Sequence, residues 1–126
     1  METTATFAIN EVGEKSGNPY TGTFVVKTML TRRDGFTADA IRRNIVGVDP
    51  QNASPSIAGE AFMLGQLSVR IIDAPKWWEE SDGGMDLADV NVIATIFKEA
   101  MDAESKRLKK LEEETKIALK KLKKED

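Results

Sequence analysis

The sequence predicts an α+β protein that is mostly helical: an N-terminal β-hairpin packs on a small helical core, and a long C-terminal helix projects beyond it. Three observations lead to this prediction. Apolar and polar residues alternate, as they do in strands, only within the first 28 residues. Segments with helical periodicity and recognisable caps follow them. Residues 85–126 then contain no glycine or proline, so one helix can run through them.

The hairpin is predicted from two alternating segments, residues 6–12 and 20–28. Residues 13–19 between them contain two glycines, an asparagine and a proline, which favour a turn. Because two strands alone are marginal in water, the hairpin must pair with a third strand or lie against the helices. The apolar residues that share a face are Phe7 and Ile9 in the first segment, and Tyr20, Phe24 and Val26 in the second.

Two helices are predicted after the hairpin from their capping residues. Thr31 is typical of an N-cap, and Gly47 suits the C-terminal end of the first helix. Ser54 followed by Pro55 is a usual opening for the second, which should run from about residue 56 to 72. The first helix carries apolar residues at helical spacing: Phe36, Ala40, Ile41 and Ile45. The second is the most apolar element and should be the central core helix, with these side chains buried: Ile57, Phe62, Leu64, Leu67 and Ile71.

A tryptophan pair marks the connection between the second helix and the last one. Pro75 prevents the second helix from continuing, so Trp77 and Trp78 should lie in a single helical turn before a loop at Gly83 and Gly84. Neighbours on one turn point in different directions, so we expect at least one indole to be buried against the second or the last helix. We include both as candidate partner-binding residues, because tryptophan is enriched at interface hot spots.

The last helix should run from about residue 89 to 124, with Asp86 or Asp89 as its cap. At 1.5 Å per residue it would reach roughly 50 Å, which is more than a body of this size can cover. We therefore divide the chain into a hairpin and helical body, residues 1–103, and a charged helical extension, residues 104–126. The extension carries the remaining candidate partner-binding residues, which the body is too distant to bury: Leu108, Leu111, Ile117, Ala118 and Leu122.

The composition argues against an enzyme. The chain contains no cysteine and no histidine, which removes the thiolate nucleophile, the commonest general base and the commonest zinc ligand. Carboxylates are concentrated between residues 79 and 89, but their spacing matches no calcium-binding loop. We interpret them as caps and solvated loop residues: Glu79, Glu80, Asp82, Asp86 and Asp89. The sequence thus leads us to expect no catalytic residues, no metal site and no cofactor.

Charge is divided unevenly along the chain. Residues 1–103 contain nine Lys/Arg and fifteen Asp/Glu, and residues 104–126 contain nine and six, so the net charges are −6 and +3. An acidic body with a basic extension indicates two surfaces with different partners. No apolar run approaches the roughly 20 residues of a membrane span, so we expect no contact with a membrane.

Three segments, residues 67–70 (LSVR), 73–78 (DAPKWW) and 84–92 (GMDLADVNV), are followed by a Lys/Glu-rich helix. Together they resemble small proteins from the structural gene clusters of tailed bacteriophages, and the similarity covers about residues 6–105. The order of a short hairpin and an arginine-containing helix is also similar. The resemblance implies a non-enzymatic assembly role that acts through protein–protein contacts and needs no cofactor.

Within that resemblance, the first expected role is a tail assembly chaperone, which shields an aggregation-prone partner until assembly. The second is a head or tail component that is retained in the particle. Both imply phage structural proteins as partners, with self-association as a further expectation, in the host cytoplasm during assembly or in the virion. A different class is a regulatory module that binds nucleic acid through the basic extension and the arginines of the first helix. The acidic body disfavours that class.

Overall fold

A computed structural model describes residues 3–47 and 54–125 and has the expected α+β architecture, mostly helical. A three-stranded antiparallel sheet and the helices enclose one core, and the last helix projects from it. The elements in chain order are β1 (Thr4–Val12), β2 (Pro19–Lys27), α1 (Arg32–Val46), α2 (Pro55–Arg70), β3 (Ile71–Asp73), α3 (Lys76–Glu80) and α4 (Val90–Glu125).

The predicted hairpin is confirmed, with Phe7 opposite Phe24 in the β1–β2 register. Both strands turn one face toward the core, where Ile9, Phe24 and Val26 are buried. Phe7 is only partly buried, and its ring stacks on that of Phe24 with 5.5 Å between the centroids. The alternating pattern therefore identified the inward face of the sheet correctly.

The third strand is a correction to the expected end of the second helix. The helix α2 ends at Arg70, and residues Ile71–Asp73 pair antiparallel with β2 around Val25 and Val26 instead of extending the helix to residue 72. Two adjacent isoleucines favour an extended backbone, and Pro75 disfavours helix for the residue before it. The hairpin thereby acquires the additional strand that it needs for stability in water.

Side chains from the sheet, α2, α3 and α4 together form the hydrophobic core. The helix α2 contributes Leu64 and Leu67, as expected, but α4 contributes more residues than α2 does. The central position predicted for the second helix is thus shared with the start of the last one. The core residues are Ile9, Phe24, Val26, Leu64, Leu67, Trp78, Val92, Ile93, Ile96 and Ala100.

Two side chains of α2 that we expected to be buried are about half exposed. Ile57 lies in the first turn of the helix, before the residues that contact the rest of the body. Phe62 lies beside the buried face and has one ring neighbour, Phe97, at 6.0 Å in an edge-on arrangement. Ile71, which we also expected to be buried as part of α2, is partly buried and belongs to β3. The buried residues of α2 are Ala61, Leu64, Gly65, Leu67 and Arg70.

The helix α1 packs on α2 and begins and ends where its caps predict. Thr31 and Asp34 form a reciprocal capping box, and Gly47 is the C-cap. The apolar residues predicted for α1 are not buried together, because the helix contacts α2 around Ala38. Phe36 therefore remains 73% exposed. Helical spacing alone could not show which part of α1 would meet α2.

Candidate docking site

The helix α4 carries the candidate site, and it is anchored only in its first half. It contains 36 residues without interruption, a length of about 54 Å. Its first three turns bury Val92, Ile93, Ile96 and Ala100 in the core. Every residue from 108 to 124 is exposed. The predicted projection of the last helix is thereby confirmed, and we call the exposed segment, residues 108–124, the tail.

A loop–helix junction, formed by residues 13–18 with Asp89 and Asn91, fixes the start of α4. The Asp89 carboxylate accepts hydrogen bonds from the backbone N–H groups of Lys15 (2.7 Å) and Ser16 (2.9 Å). It also accepts hydrogen bonds from the Ser16 hydroxyl (2.6 Å) and the Tyr20 hydroxyl (3.2 Å). We expected Asp86 or Asp89 to cap the last helix, but the carboxylate of Asp89 binds the hairpin loop.

Asn91, the second residue of α4, completes the junction. Its side chain accepts a hydrogen bond from the Glu14 N–H at 3.1 Å and donates one to the Val12 carbonyl at 3.0 Å. The loop passes so close to Asp89 that a Cβ atom on Gly13 would lie 2.3 Å from the carboxylate. A side chain at position 13 would therefore displace the Asp89 carboxylate from its present position or shift the loop.

The environment of Asp89 favours its ionised form. The hydrogen bond from the Ser16 hydroxyl, followed by those from the Ser16 and Lys15 backbone and the Tyr20 hydroxyl, lowers the pKa of Asp89 below its usual value. Burial acts in the opposite direction but does not outweigh these donors. The junction thus holds a buried carboxylate whose charge is stabilised by donors from the hairpin, 69 or more positions away along the chain.

A charged pair holds α4 to the body where the helix leaves it. Arg70, at the end of α2, is buried and donates a hydrogen bond from Nη1 to a carboxylate oxygen of Glu104 at 2.5 Å. The Arg70 Nε group donates to Gln66 at 3.2 Å, so the guanidinium is oriented from both sides. Glu104 occupies a position on the apolar strip of α4, and the buried arginine explains the charge there.

The tail presents apolar side chains on a helix that is otherwise charged. Four leucines and one isoleucine are each about half exposed: Leu108 (52%), Leu111 (39%), Ile117 (56%), Leu119 (55%) and Leu122 (61%). Ala118 is exposed as well. In the part of the chain that the structure describes, these side chains are exposed, so the candidate residues of the extension are accessible to a partner.

The apolar residues of the tail fall on two sides of the helix. At 100° per residue, the four leucines and Ala118 lie within about 100° of one another, and Ile117 lies on the opposite side. Ile117 was predicted as part of the surface but is separated from it, whereas Leu119 belongs to the surface and was not predicted. We call the common face the leucine stripe, and its members are Leu108, Leu111, Ala118, Leu119 and Leu122.

One edge of the leucine stripe continues the buried face of α4. Eighteen residues are five helical turns, so positions 18 apart point in the same direction. Leu111 therefore points in the direction of Ile93, and Ala118 in that of Ala100, both of which are buried in the core. The other edge turns away from the body, because Leu108 points in the direction of the exposed Val90 and Leu119 in that of the partly buried Met101.

The two tryptophans lie away from the tail. Trp78 is buried, with its ring edge-on to Phe24 at 5.9 Å, which confirms that at least one indole is in the core. Trp77 is partly buried and donates a hydrogen bond from Nε1 to the Thr21 carbonyl at 2.9 Å. Trp78 is thus inaccessible to a partner in this structure, and the partner-binding role of Trp77 stays a prediction.

A basic groove lies where α4 leaves the sheet. It has a volume of about 620 Å³, and three cations of α4 line it without an acidic side chain among the lining residues. The Arg107 Nε group is buried there without a hydrogen-bond partner. The lining residues are Thr4, Ala5, Thr28, Ala103, Lys106, Arg107 and Lys110.

Neither a metal cluster nor a membrane-spanning helix is found in the ranges that the structure describes. Within residues 3–47 and 54–125, no three acidic side chains lie close enough together to hold a metal ion. In the same ranges, no helix has the length and hydropathy needed to cross a bilayer.

Comparisons with protein-family models, with curated proteins and with solved structures found no match to this chain.

Proposed function

We propose that this chain is a non-enzymatic assembly protein of tailed bacteriophages, which binds its partner through the tail, residues 108–124. The observation that carries the proposal is the leucine stripe, an apolar face on a helix that the body leaves uncovered. The resemblance of residues 67–92 to small phage structural proteins supports the phage assignment. The first role we assign is that of a tail assembly chaperone, acting in the host cytoplasm.

The energetics of the tail favour a docking role over a purely solvated extension. A helix of 17 residues is marginally stable in water on its own, and here only its first turn adjoins the body. Burial of a leucine contributes on the order of 1.5–3 kcal/mol when it is complete. Because these leucines are already half covered by their own helix, a partner would gain about half of that from each, and several such contributions suffice to hold it.

The matched test compares two sides of the same helix. Leu111→Gln/Leu122→Gln removes apolar surface from the leucine stripe, and Ile117→Gln removes it from the opposite side. Glutamine has nearly the helix propensity of leucine, so the helix itself should be little affected. We expect the double variant to lose co-purification with phage structural proteins from infected cells, as measured by mass spectrometry, and Ile117→Gln to retain it.

Deletion of residues 108–126 is the second test. The cut falls after Arg107, because Arg107 still contacts Met29 of the body. The shortened chain should unfold cooperatively at nearly the temperature of the full chain and should lose the same partners. If it still enters the assembly at full occupancy, the tail is a solvated extension and the proposal is wrong.

A retained head or tail component is the alternative role within the same proposal. Purified virions separate the two roles, because a chaperone is absent from the particle and a component is present at a fixed copy number. Quantitative mass spectrometry of gradient-purified particles measures that number. Fewer than one copy per particle supports the chaperone, and a stoichiometric amount supports the retained component.

The basic groove favours a second candidate function, the binding of nucleic acid. Lys106, Arg107 and Lys110 would neutralise phosphates, and the affinity would then fall steeply with salt. In the first helix, Arg42 and Arg43 both pair with Asp39, which leaves less free charge there than the sequence suggests. Retention of the full chain on immobilised DNA at about 50 mM salt, lost in Lys106→Gln/Lys110→Gln, would support this function.

A further inference from the structure

We propose that the partner of the leucine stripe is the tail of a second copy of this chain, and that the two tails pair antiparallel. This inference rests on the proposed function, because it names the occupant of the same surface. It is carried by two features of the tail: the order of the charges on the two flanks of the stripe and the length of helix that is free.

An antiparallel pair places the two bodies at opposite ends of the paired tails. With the two-fold axis between residues 117 and 118, Leu111 and Leu122 of the second copy lie within two residues of each other along the seam, about 3 Å, and Thr115 lies equally close to Ala118 and Leu119. The overlap then extends from about residue 111 to 124. The last turn of each helix ends level with Lys110 of the other copy, beside the groove that Lys110 forms with the sheet.

The same register brings opposite charges together on both sides of the seam. In an antiparallel pair, like flanks of the two helices meet. One flank of the leucine stripe carries Glu114 and Lys121, and the other carries Glu112 and Lys123. Each glutamate lies opposite the lysine of the second copy on its own side, and two-fold symmetry makes four attractive pairs. The block of three glutamates at 112–114 thereby faces the lysine-rich end of the other tail.

The short overlap sets the strength of the association. About 14 residues of each tail would pair, over roughly 20 Å, which is much less than a standard interface offers. The dimer should therefore be weak and should depend on concentration. Such a dimer can be exchanged for another helical partner during assembly, as a chaperone role requires.

Charge reversal tests the pairing. Sedimentation equilibrium of the full chain, over a range from micromolar to millimolar, should show a monomer–dimer equilibrium. Glu112→Lys/Glu114→Lys and Lys121→Glu/Lys123→Glu should each raise the dissociation constant about tenfold or more, since four attractive pairs become repulsive. An equimolar mixture of the two variants should dimerise at least as well as the unmodified chain. Lys120→Glu/Lys124→Glu, on the side of the helix opposite the leucine stripe, is the matched control.

Disulfide trapping tests the orientation, and the absence of native cysteine makes it clean. Glu112→Cys mixed with Lys123→Cys should give a heterodisulfide on mild oxidation, because the two positions face each other in the antiparallel register. Glu112→Cys alone should give little homodisulfide, because its copies would lie about 16 Å apart along the axis. A homodisulfide in place of the heterodisulfide would overturn the antiparallel arrangement.

The outcomes separate this inference from the proposed function. If the full chain stays monomeric at millimolar concentration while Leu111→Gln/Leu122→Gln still abolishes partner capture, self-pairing is wrong and the stripe binds a different protein. If the chain dimerises as described and assembly is unaffected by loss of the tail, self-pairing holds and the proposed function fails.

Discussion

Asp89 accepts two hydrogen bonds from Ser16, one from the backbone N–H at 2.9 Å and one from the hydroxyl at 2.6 Å, although the residues are 73 positions apart. This contact joins the hairpin loop to the residue immediately before the helix that bears the tail. A buried carboxylate at the start of α4 therefore helps to set the direction of the tail relative to the body.

The first prediction concerns the pH dependence of that contact. The native pKa of Asp89 is lowered, so the stabilisation it provides is complete above its unfolded pKa of about 4 and is lost as the pH falls through the lower native value. Asp89→Asn should therefore lower the free energy of unfolding at pH 7, and the difference from the unmodified chain should shrink below pH 4. Urea unfolding at several pH values measures it.

If the difference in free energy of unfolding between Asp89→Asn and the unmodified chain stayed constant from pH 7 to pH 3, the stabilising role of the ionised Asp89 would be contradicted. Ser16→Ala should reproduce part of the loss at neutral pH, because it removes the hydroxyl donor and leaves the backbone donor in place.

The second prediction concerns the crossing of α1 and α2. A Cβ atom on Gly65 would lie 2.5 Å from the Ala38 carbonyl oxygen, so Gly65→Ala must separate the two helices. We expect a loss of about 1–3 kcal/mol in the free energy of unfolding. Gly59→Ala, on the same helix with no neighbour within 4 Å, is the control and should be neutral or stabilising by up to about 1 kcal/mol. Equal effects of the two substitutions would refute the close crossing.

The third prediction concerns the charged pair at the exit of α4. Glu104→Gln leaves the buried Arg70 without its counter-charge and should cost about 3 kcal/mol. In a double-mutant cycle with Arg70→Met, the coupling energy should be about 1–3 kcal/mol. Asp102→Asn breaks the exposed pair with Lys98 on the same helix and should cost less than about 0.5 kcal/mol. A Glu104→Gln cost as small as this control would mean that the pair does not anchor α4.

The fourth prediction distinguishes the two ends of α2. Leu67 is fully buried, and Leu67→Ala should cost about 2–5 kcal/mol. Ile57, half exposed in the first turn, should cost less than about 1 kcal/mol when replaced by alanine, because little apolar area is lost there. Chemical denaturation of both variants measures the two costs. A larger cost for Ile57→Ala than for Leu67→Ala would contradict the placement of the core at the C-terminal end of α2.

Features with a local cause could be predicted from the sequence. Strand alternation located the hairpin, and Thr31 and Ser54 located the starts of α1 and α2, because a cap satisfies the N–H groups of its own first turn. The projection of α4 followed from its length and its lack of helix breakers. In the tail, a strict heptad pattern selected Ala118, and only the 100° geometry of a continuous helix shows that Leu119 lies on the same face.

Features with a distant cause could not be predicted. Aspartate suits a helix cap at position 89, and nothing in the neighbouring residues indicates that its carboxylate binds a loop near position 16. Ile71 continues the apolar spacing of α2, so the sequence predicts a last helical turn where the structure has the three-residue strand β3. The exposure of Phe36 depends on how α1 crosses α2, which is decided by the contact between Ala38 and Gly65 and not by periodicity.

The helix α4 runs without a break from the core to the tip of the tail, and this continuity has a geometric consequence. Because the first half of the helix is held in the core, only the tail, about 26 Å long, extends freely from the body. A bend of about 10° where the helix leaves the body moves the tip of the tail through an arc of roughly 4–5 Å. The tip can therefore adjust its position to a partner while the core that anchors the helix stays in place.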